Sequence, residues 1–275
     1  MAANIQTSAG KQMVFRRTNT LLGRHTYVTP ENSTNRHLCY SRIILRDDVK
    51  SVSFNTKGRE TSLIVLSGTA NIALNGRTSE LTQYDAAYVP RDTAVGLITE
   101  TYADIAEFSA DVAADYPVQI VRYADVCREP SLKFTTGKPT QLRHVNILIG
   151  KNVNAGRLLV GFTVSEPGNW TSWPPHEHAA MLEEMYVYFD MPDPAFGIQL
   201  VYDNTQQPEL VTVVRDGDAV LMPSGYHPNV SVPGHQICFL WAMAAHREKE
   251  DRQFGVVNIQ PGFGQGGSGL EKSRN

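Results

Sequence analysis

Cysteine is scarce: three in 275 residues, Cys39, Cys127 and Cys238, far apart and odd in number. That excludes a disulfide framework and also a thiolate zinc site, which needs close Cys pairs. Reduced thiols fit a cytoplasmic protein. Long apolar runs are missing as well. No stretch approaches the roughly 20 apolar residues of a membrane span, and the opening MAANIQTSAGKQMVFRR lacks the apolar core of a signal peptide. The expectation is a soluble, cytoplasmic chain with no membrane partner. Nor is there a basic excess: 25 Lys and Arg against 28 Asp and Glu give a net charge of −3. Nucleic acid demands a concentrated basic face, so none is expected as partner. A small carboxylate ligand needs only one local cation. Long amphipathic helices are also wanting. DVAADYPVQIVRYADV has room for a turn or two, but Pro117 interrupts it.

What the chain does have is material for a core, at 41% hydrophobic and 19% charged residues, a balance that argues against wholesale disorder. The apolar residues fall in short runs bounded by Gly, Pro, Asn and Asp, among them SLIVLSG, AAYVP, VNILIG, EMYVYFDM and ICFLWAMAA. Rich in Val, Ile, Tyr and Phe and broken about every ten residues, they describe an all-β sandwich or barrel. An internal repeat is superimposed on this pattern. YDAAYVPRDTAV (84–95) lines up with GDAVLMPSGYHP (217–228), each leading from Asp-Ala through a short strand to Pro90 or Pro223. Upstream of each lies a segment that reads as a strand pair, SLIVLSGTANIALNG (62–76) and LEEMYVYFDMPDPAFGIQLVYDN (182–204). Two barrel units in tandem follow, joined through the turn-rich REPSLKFTTGKPTQ. The boundaries are 1–130 for the first unit, 131–261 for the second, and 262–275 for a flexible Gly-rich tail.

Histidine separates the units. Of eight, only His25 and His37 precede residue 140. Where the second unit has Tyr226-His227 the first has Thr93-Ala94, and where the second has His176-x-His178 the first has KGRETS (57–62). A histidine-based metal site can therefore exist only in the second unit. On an extended segment residues i and i+2 share a face, so His176 and His178 can aim at one point. His227, following a strand of the same unit, is the natural third imidazole. With a nearby carboxylate such a set suits Zn²⁺, Fe²⁺, Mn²⁺ or Ni²⁺.

The pairing of WPPHEH…EE with GDAVLMPSGYH resembles the two motifs of the cupin superfamily, with one residue fewer than usual before the last histidine. More narrowly, GNWTSWPPHEH, LEEMYVYFDMP, FGIQLVY, DGDAVLMPSGYHP and MAAHRE closely resemble the 5-deoxy-glucuronate isomerase family of myo-inositol catabolism. YVYFDMP also resembles the sister 4-deoxy-5-hexosulose-uronate ketol-isomerases. The likeness is dense from about 143 to 261 and coarser before it. It implies a tandem double-stranded β-helix (jelly-roll) bicupin with one divalent metal, commonly zinc, and an aldose–ketose isomerase activity on a sugar acid. Carried over by position, the ligands are His176, His178, one of Glu183 and Glu184, and His227. Counting forward from His178 selects Glu183; counting back from Tyr186 selects Glu184. Strand parity favours Glu184, which shares a face with Tyr186 and Tyr188. The other glutamate is then expected to point outward into water.

Such an enzyme moves one hydrogen between neighbouring carbons while negative charge develops on oxygen, which a divalent ion stabilises. Candidates for proton transfer are the phenols of Tyr186, Tyr202 and Tyr226 and whichever of Glu183 and Glu184 is not a ligand, with Gln199 as an orienting group. Arg143 and Arg247 are candidates for the substrate carboxylate. An iron-dependent dioxygenase or a non-catalytic sugar-binding barrel would use a similar ligand set, and the metal motif alone does not separate them. Exposed sheet edges are compatible with a homo-oligomer but specify none.

Overall fold

The computed structural model describes residues 12–264 and 269–270. The chain adopts the expected all-β, tandem jelly-roll architecture, with a single four-residue helix, Tyr123–Val126, among the described residues. No helix there is long and apolar enough to cross a membrane.

Each unit pairs a large sheet with a four-stranded one. The first large sheet runs in the order Gln119–Val121, Ala86–Val89, Arg59–Gly68, Ala103–Asp111, Cys39–Leu45, Gly23–Val28. Its companion is Ser51–Asn55, Ala94–Ile98, Ala70–Leu74, Arg77–Leu81. The second large sheet is Val14–Phe15, Ala219–Met222, Leu182–Tyr188, Cys238–Ala245, Leu158–Ser165, Arg143–Ile149, Lys133–Thr136. Facing it are Trp170–Thr171, Asn229–Ser231, Gly197–Val201 and Leu210–Val214. The central strands of the two orders correspond one to one, so the sequence repeat is a repeat of topology.

The expected strand pairs at 62–76 and 182–204 are corrected here. Arg59–Gly68 and Ala70–Leu74 are consecutive but belong to facing sheets, and so do Leu182–Tyr188 and Gly197–Val201. Gly68, at φ +78°, makes the first crossing; a Cβ there would lie 2.1 Å from the Tyr102 carbonyl oxygen. A two-strand run with a glycine between looks locally like a hairpin, and only the non-local partners distinguish it from a sheet-to-sheet crossing.

Burial follows from the layering. Leu182–Tyr188 is buried at all seven positions because one face lines the barrel and the other packs on the neighbouring unit. Leu210–Val214, on an outer edge, alternates buried and exposed. One apolar cluster runs across both large sheets and includes Tyr40, Phe108, Phe162 and Val187. A second, with Ile43, Leu63, Val65, Ile72 and Leu97, fills the first barrel. Each such side chain contributes about 1.5–3 kcal/mol by burial. The N-terminal arm crosses between units: Val14 pairs with Val220, and Arg16 Nη1 donates to Asp218 Oδ2 at 2.7 Å.

Strand registers allow the two barrels to be compared position by position. Thr61 pairs with Val89, and Glu184 with Met222. Given the repeat, Thr61, Leu63 and Val65 stand where the second unit has Glu184, Tyr186 and Tyr188. At these positions the first barrel has one hydroxyl and two aliphatic side chains where the second has a carboxylate and two phenols.

Candidate metal centre

His176 and Glu177 form a two-residue strand on Asn258–Ile259, after which a tight turn bonds Met181 and Leu182 N–H to the His178 carbonyl, each at 2.9 Å. That turn leads into Leu182–Tyr188, so His178 and Glu184 approach from two consecutive segments. His227 lies past Gly225 in the connection between Ala219–Met222 and Asn229–Ser231. At φ +87°, Gly225 lies where a Cβ would be 3.1 Å from the Tyr202 carbonyl oxygen, and Tyr202 and Tyr226 exchange two backbone bonds at 3.0 and 2.8 Å. Gln199 Nε2 donates to the His227 carbonyl at 3.0 Å.

The ligand atoms of His178, Glu184 and His227 lie within 4.8 Å of one another, all three residues buried. The His176 ring is alongside, its centre 5.1 Å from that of His227. Glu184 Oε2 is 2.9 Å from His178 Nε2 and 3.0 Å from His227 Nε2. Each imidazole turns Nδ1 to a backbone carbonyl: His176 to Pro174 at 2.8 Å, His178 to Leu182 at 3.3 Å, His227 to Gly225 at 2.9 Å. A carbonyl can only accept, so each Nδ1 carries a proton. His227 Nε2 is buried and has no hydrogen-bond partner, although Glu184 Oε2 is 3.0 Å away. Two imidazoles so placed on a buried carboxylate, with the His176 ring alongside, fit a divalent cation.

The electrostatics agree. Burial, reinforced by His227, pushes His176 down to about 3, so that ring is neutral. Burial alone would raise Glu184, but the hydrogen bond with His178 outweighs it and holds the carboxyl at about 2. His178 is depressed by burial and raised further by Glu184, ending above its ordinary value.

A cavity of about 50 Å³ opens onto His176 and Glu184. Its polar walls are Arg143, Thr163, Ser172 and Tyr186; its apolar walls include Val145, Phe239, Trp241, Met243, Phe254 and Leu270. Arg143 is 3% exposed and donates to the carbonyls of Trp173 at 2.7 Å and Gln141 at 3.2 Å. Tyr186 and Ser172 share a hydroxyl–hydroxyl bond of 2.6 Å. Burial and then Glu184 raise the Tyr186 phenol well above its ordinary value, so it is protonated at neutrality.

Four of the sequence candidates lie outside this cavity. Arg247 is in a surface cluster with Asp251 and Glu250, its side chain 63% exposed; the MAAHRE motif passes the end of the strand before it arrives. Tyr202 donates its hydroxyl to Gln260 Oε1 at 2.8 Å. Gln199 is enclosed by Tyr188, Asn229 and the His227 carbonyl. Tyr226 contributes backbone bonds to Tyr202. The expectation of an outward, solvated Glu183 is also corrected: the residue is 2% exposed, because its face meets the first unit rather than water. Sequence reasoning missed Ser172, Thr163, Trp241, Met243 and Phe254. Period-two spacing in CFLWAMAA puts Phe239, Trp241 and Met243 on one face and was the available signal. The proposed tail, 262–275, falls largely outside the described residues; of those described, Phe263 packs on Trp173 at 5.3 Å.

A larger cleft, about 800 Å³, runs between Arg16–Arg17 and 211–218, but it holds no imidazole.

Residues 14–256 match the KduI/IolB family. A 5-deoxy-glucuronate isomerase from Geobacillus kaustophilus (strain HTA426) is 28% identical over 239 residues, covering 81% of this chain and 84% of that protein. One from Shouchella clausii (strain KSM-K16) is 31% identical over 184 residues, 64% of this chain and 66% of that one. Among solved structures, an IolB-like protein from Salmonella typhimurium LT2 superposes with a TM-score of 0.81 at 22% identity, over 92% of this chain and 98% of that chain. Oxalate decarboxylase from Bacillus subtilis, which has Mn(II) centres, is similar in fold alone: TM-score 0.60, 11% identity, 84% and 77% covered. The match across most of its length shows that the chain belongs to the KduI/IolB family.

Proposed function

We propose that this chain is a metal-dependent aldose–ketose isomerase converting 5-deoxy-D-glucuronate to 5-dehydro-2-deoxy-D-gluconate in myo-inositol catabolism, in the cytoplasm. The observation that carries the reading is Glu184 facing two imidazole Nε2 atoms at 2.9 and 3.0 Å inside a cavity that also presents Arg143. His176, His178, Glu184 and His227 hold one divalent ion, zinc first, with Mn, Fe and Ni compatible with the same donors. Bound there, the ion supplies a Lewis acid for the two substrate oxygens whose charge changes.

The chain's own groups do the rest. Arg143 supplies the positive charge that binds and orients the substrate carboxylate. Tyr186, a phenol held by Ser172, keeps its proton because burial and Glu184 raise its pKa, and so offers a hydrogen bond to a substrate oxygen rather than acting as a carbon base. Phe239, Trp241 and Met243 exclude water from the reacting carbons and present hydrocarbon to a deoxygenated one. Gln199 holds the His227 backbone. Residues 131–261 form the catalytic unit and 1–130 a metal-free partner, with Val14–Phe15 exchanged onto the catalytic sheet.

The test is an anaerobic assay with 5-deoxy-glucuronate and the 4-deoxy-5-hexosulose-uronate side by side. Turnover of the first without oxygen supports the reading. A strict requirement for oxygen would turn it into a dioxygenase, and preference for the second would shift the substrate.

A further inference from the structure

Glu183 stands beside the metal centre without belonging to it. Its carboxylate accepts three backbone N–H groups from the first unit: Arg36 on Oε2 at 2.7 Å, and His37 and Leu38 on Oε1 at 2.8 and 2.6 Å. Those residues lead straight into Cys39–Leu45. The first unit returns the arrangement. Glu60 accepts Gly156 on Oε2 at 2.7 Å, with Arg157 and Leu158 on Oε1 at 2.6 and 2.7 Å, at the entry to Leu158–Ser165. Each glutamate is the second residue of its strand, one position before Thr61 or Glu184. One clasp is used twice, in opposite directions.

What differs is the neighbourhood. On one side of Glu183, the Leu182 carbonyl accepts His178 Nδ1 at 3.3 Å; on the other, Glu184 meets His178 and His227. Beside Glu60 stand Arg59 and Thr61, and its Oε2 also accepts the Tyr88 hydroxyl at 2.5 Å; none of the three is a candidate ligand. We propose that Glu183 is a positioning residue for the metal centre, a role that rests on the metal-binding reading above. By pinning Leu182–Glu184 to the N–H groups of the first unit, it fixes both the carbonyl that orients His178 and the carboxylate between the rings. The first unit, itself without ligands, thereby takes part in metal binding.

Glu60 is the internal control, because it likewise accepts three backbone N–H groups, with the Tyr88 hydroxyl in addition, and has no candidate ligand next to it. Zinc affinity is measured by chelator competition for the wild type, Glu183→Gln, Glu183→Asp and Glu60→Gln. Loss of outer partners weakens metal binding about 10- to 100-fold, and that weakening is expected in both Glu183 variants while Glu60→Gln stays near wild type. Glu183→Asp keeps the charge but retracts the carboxylate, so wild-type affinity there would make the effect one of charge and overturn the proposal. Equal weakening in Glu60→Gln, or none in Glu183→Gln, would also overturn it. A wild type that binds no zinc would instead refute the underlying metal reading. Should the Glu183 variants not fold, amide exchange on the wild type decides, since coupling is reciprocal. Zinc is expected to slow exchange at Arg36–Leu38 and leave 156–158 unchanged; no change at Arg36–Leu38, or the same change at both, overturns the proposal.

Discussion

Glu184 and His227 face each other across 3.0 Å, carboxylate oxygen to ring nitrogen, with no hydrogen bond between them. The His227 proton is committed to the Gly225 carbonyl on the other side of the ring. A buried carboxylate and an unpartnered imidazole nitrogen this close are costly unless a cation or a proton is shared by both. Such an arrangement suits two ligands of one cation.

Arg143→Gln should raise KM for the uronate with a smaller effect on kcat. A hydrogen bond to a charged group contributes about 1.5–3 kcal/mol, or roughly 10- to 150-fold in KM. Arg247→Gln should leave KM unchanged, since that guanidinium sits in an exposed ion-pair cluster. Steady-state kinetics of both variants distinguish the two arginines, and equal effects would contradict the assignment.

Tyr186→Phe removes a proton donor and leaves the ring in place against Phe239, 4.4 Å away. General acid catalysis contributes about 10²- to 10⁴-fold, so kcat should fall by that order while metal content stays at wild-type level. Full activity in the phenylalanine variant would remove Tyr186 from the mechanism.

Gly161 lies under the cavity wall. A Cβ there would meet Trp241 Cζ2 and the Asn146 carbonyl oxygen, each at 2.2 Å. Overpacking of this kind costs about 1–3 kcal/mol. Gly161→Ala should therefore lower the melting temperature, shift the tryptophan fluorescence and raise KM together. A variant with wild-type KM would show that the Trp241 wall does not touch substrate.

With metal removed, the site predicts a stability maximum. Glu184, held at about 2, stabilises the fold above its unfolded pKa and loses that contribution as pH falls toward 2. His176, pushed to about 3, is neutral in the fold, so protonation of the unfolded chain below roughly 6.5 destabilises it. His178 runs the other way. Its folded pKa is raised, so its contribution is complete below about 6.5 and is lost as pH rises through the folded value. Denaturation of chelator-treated protein should show stability rising to near pH 6.5 and falling beyond it. Zinc takes the place of the His178 proton, so adding it should release a proton and abolish the alkaline decline. A chelated protein that grows steadily more stable above pH 7 would contradict this account.

Much of this was legible in the sequence, and the failures have one physical origin. Short apolar runs and the Asp85–Pro90 and Asp218–Pro223 repeat specify two β units because strand formation and turns are local. Parity puts Glu184 on the Tyr186 face because side chains alternate along any strand. The same parity says nothing about what covers the opposite face. Glu183 was expected in water and meets backbone N–H groups of residues about 145 positions away. Strands 59–68 and 70–74 looked like a hairpin, since the choice between pairing and crossing depends on distant partners. Arg247 is close in sequence to the last central strand, yet its side chain leaves the sheet before reaching the cavity.

The most direct test is metal analysis of purified wild type, Glu184→Gln and His227→Ala, combined with the isomerase assay after chelation and zinc return. The prediction is one ion per chain in the wild type, activity that disappears with the chelator and returns with zinc, and loss of both ion and activity in the two variants by more than about 100-fold, beyond what outer partners contribute. A metal-free wild type that still isomerises, or a Glu184→Gln variant that keeps its ion and its rate, would contradict it.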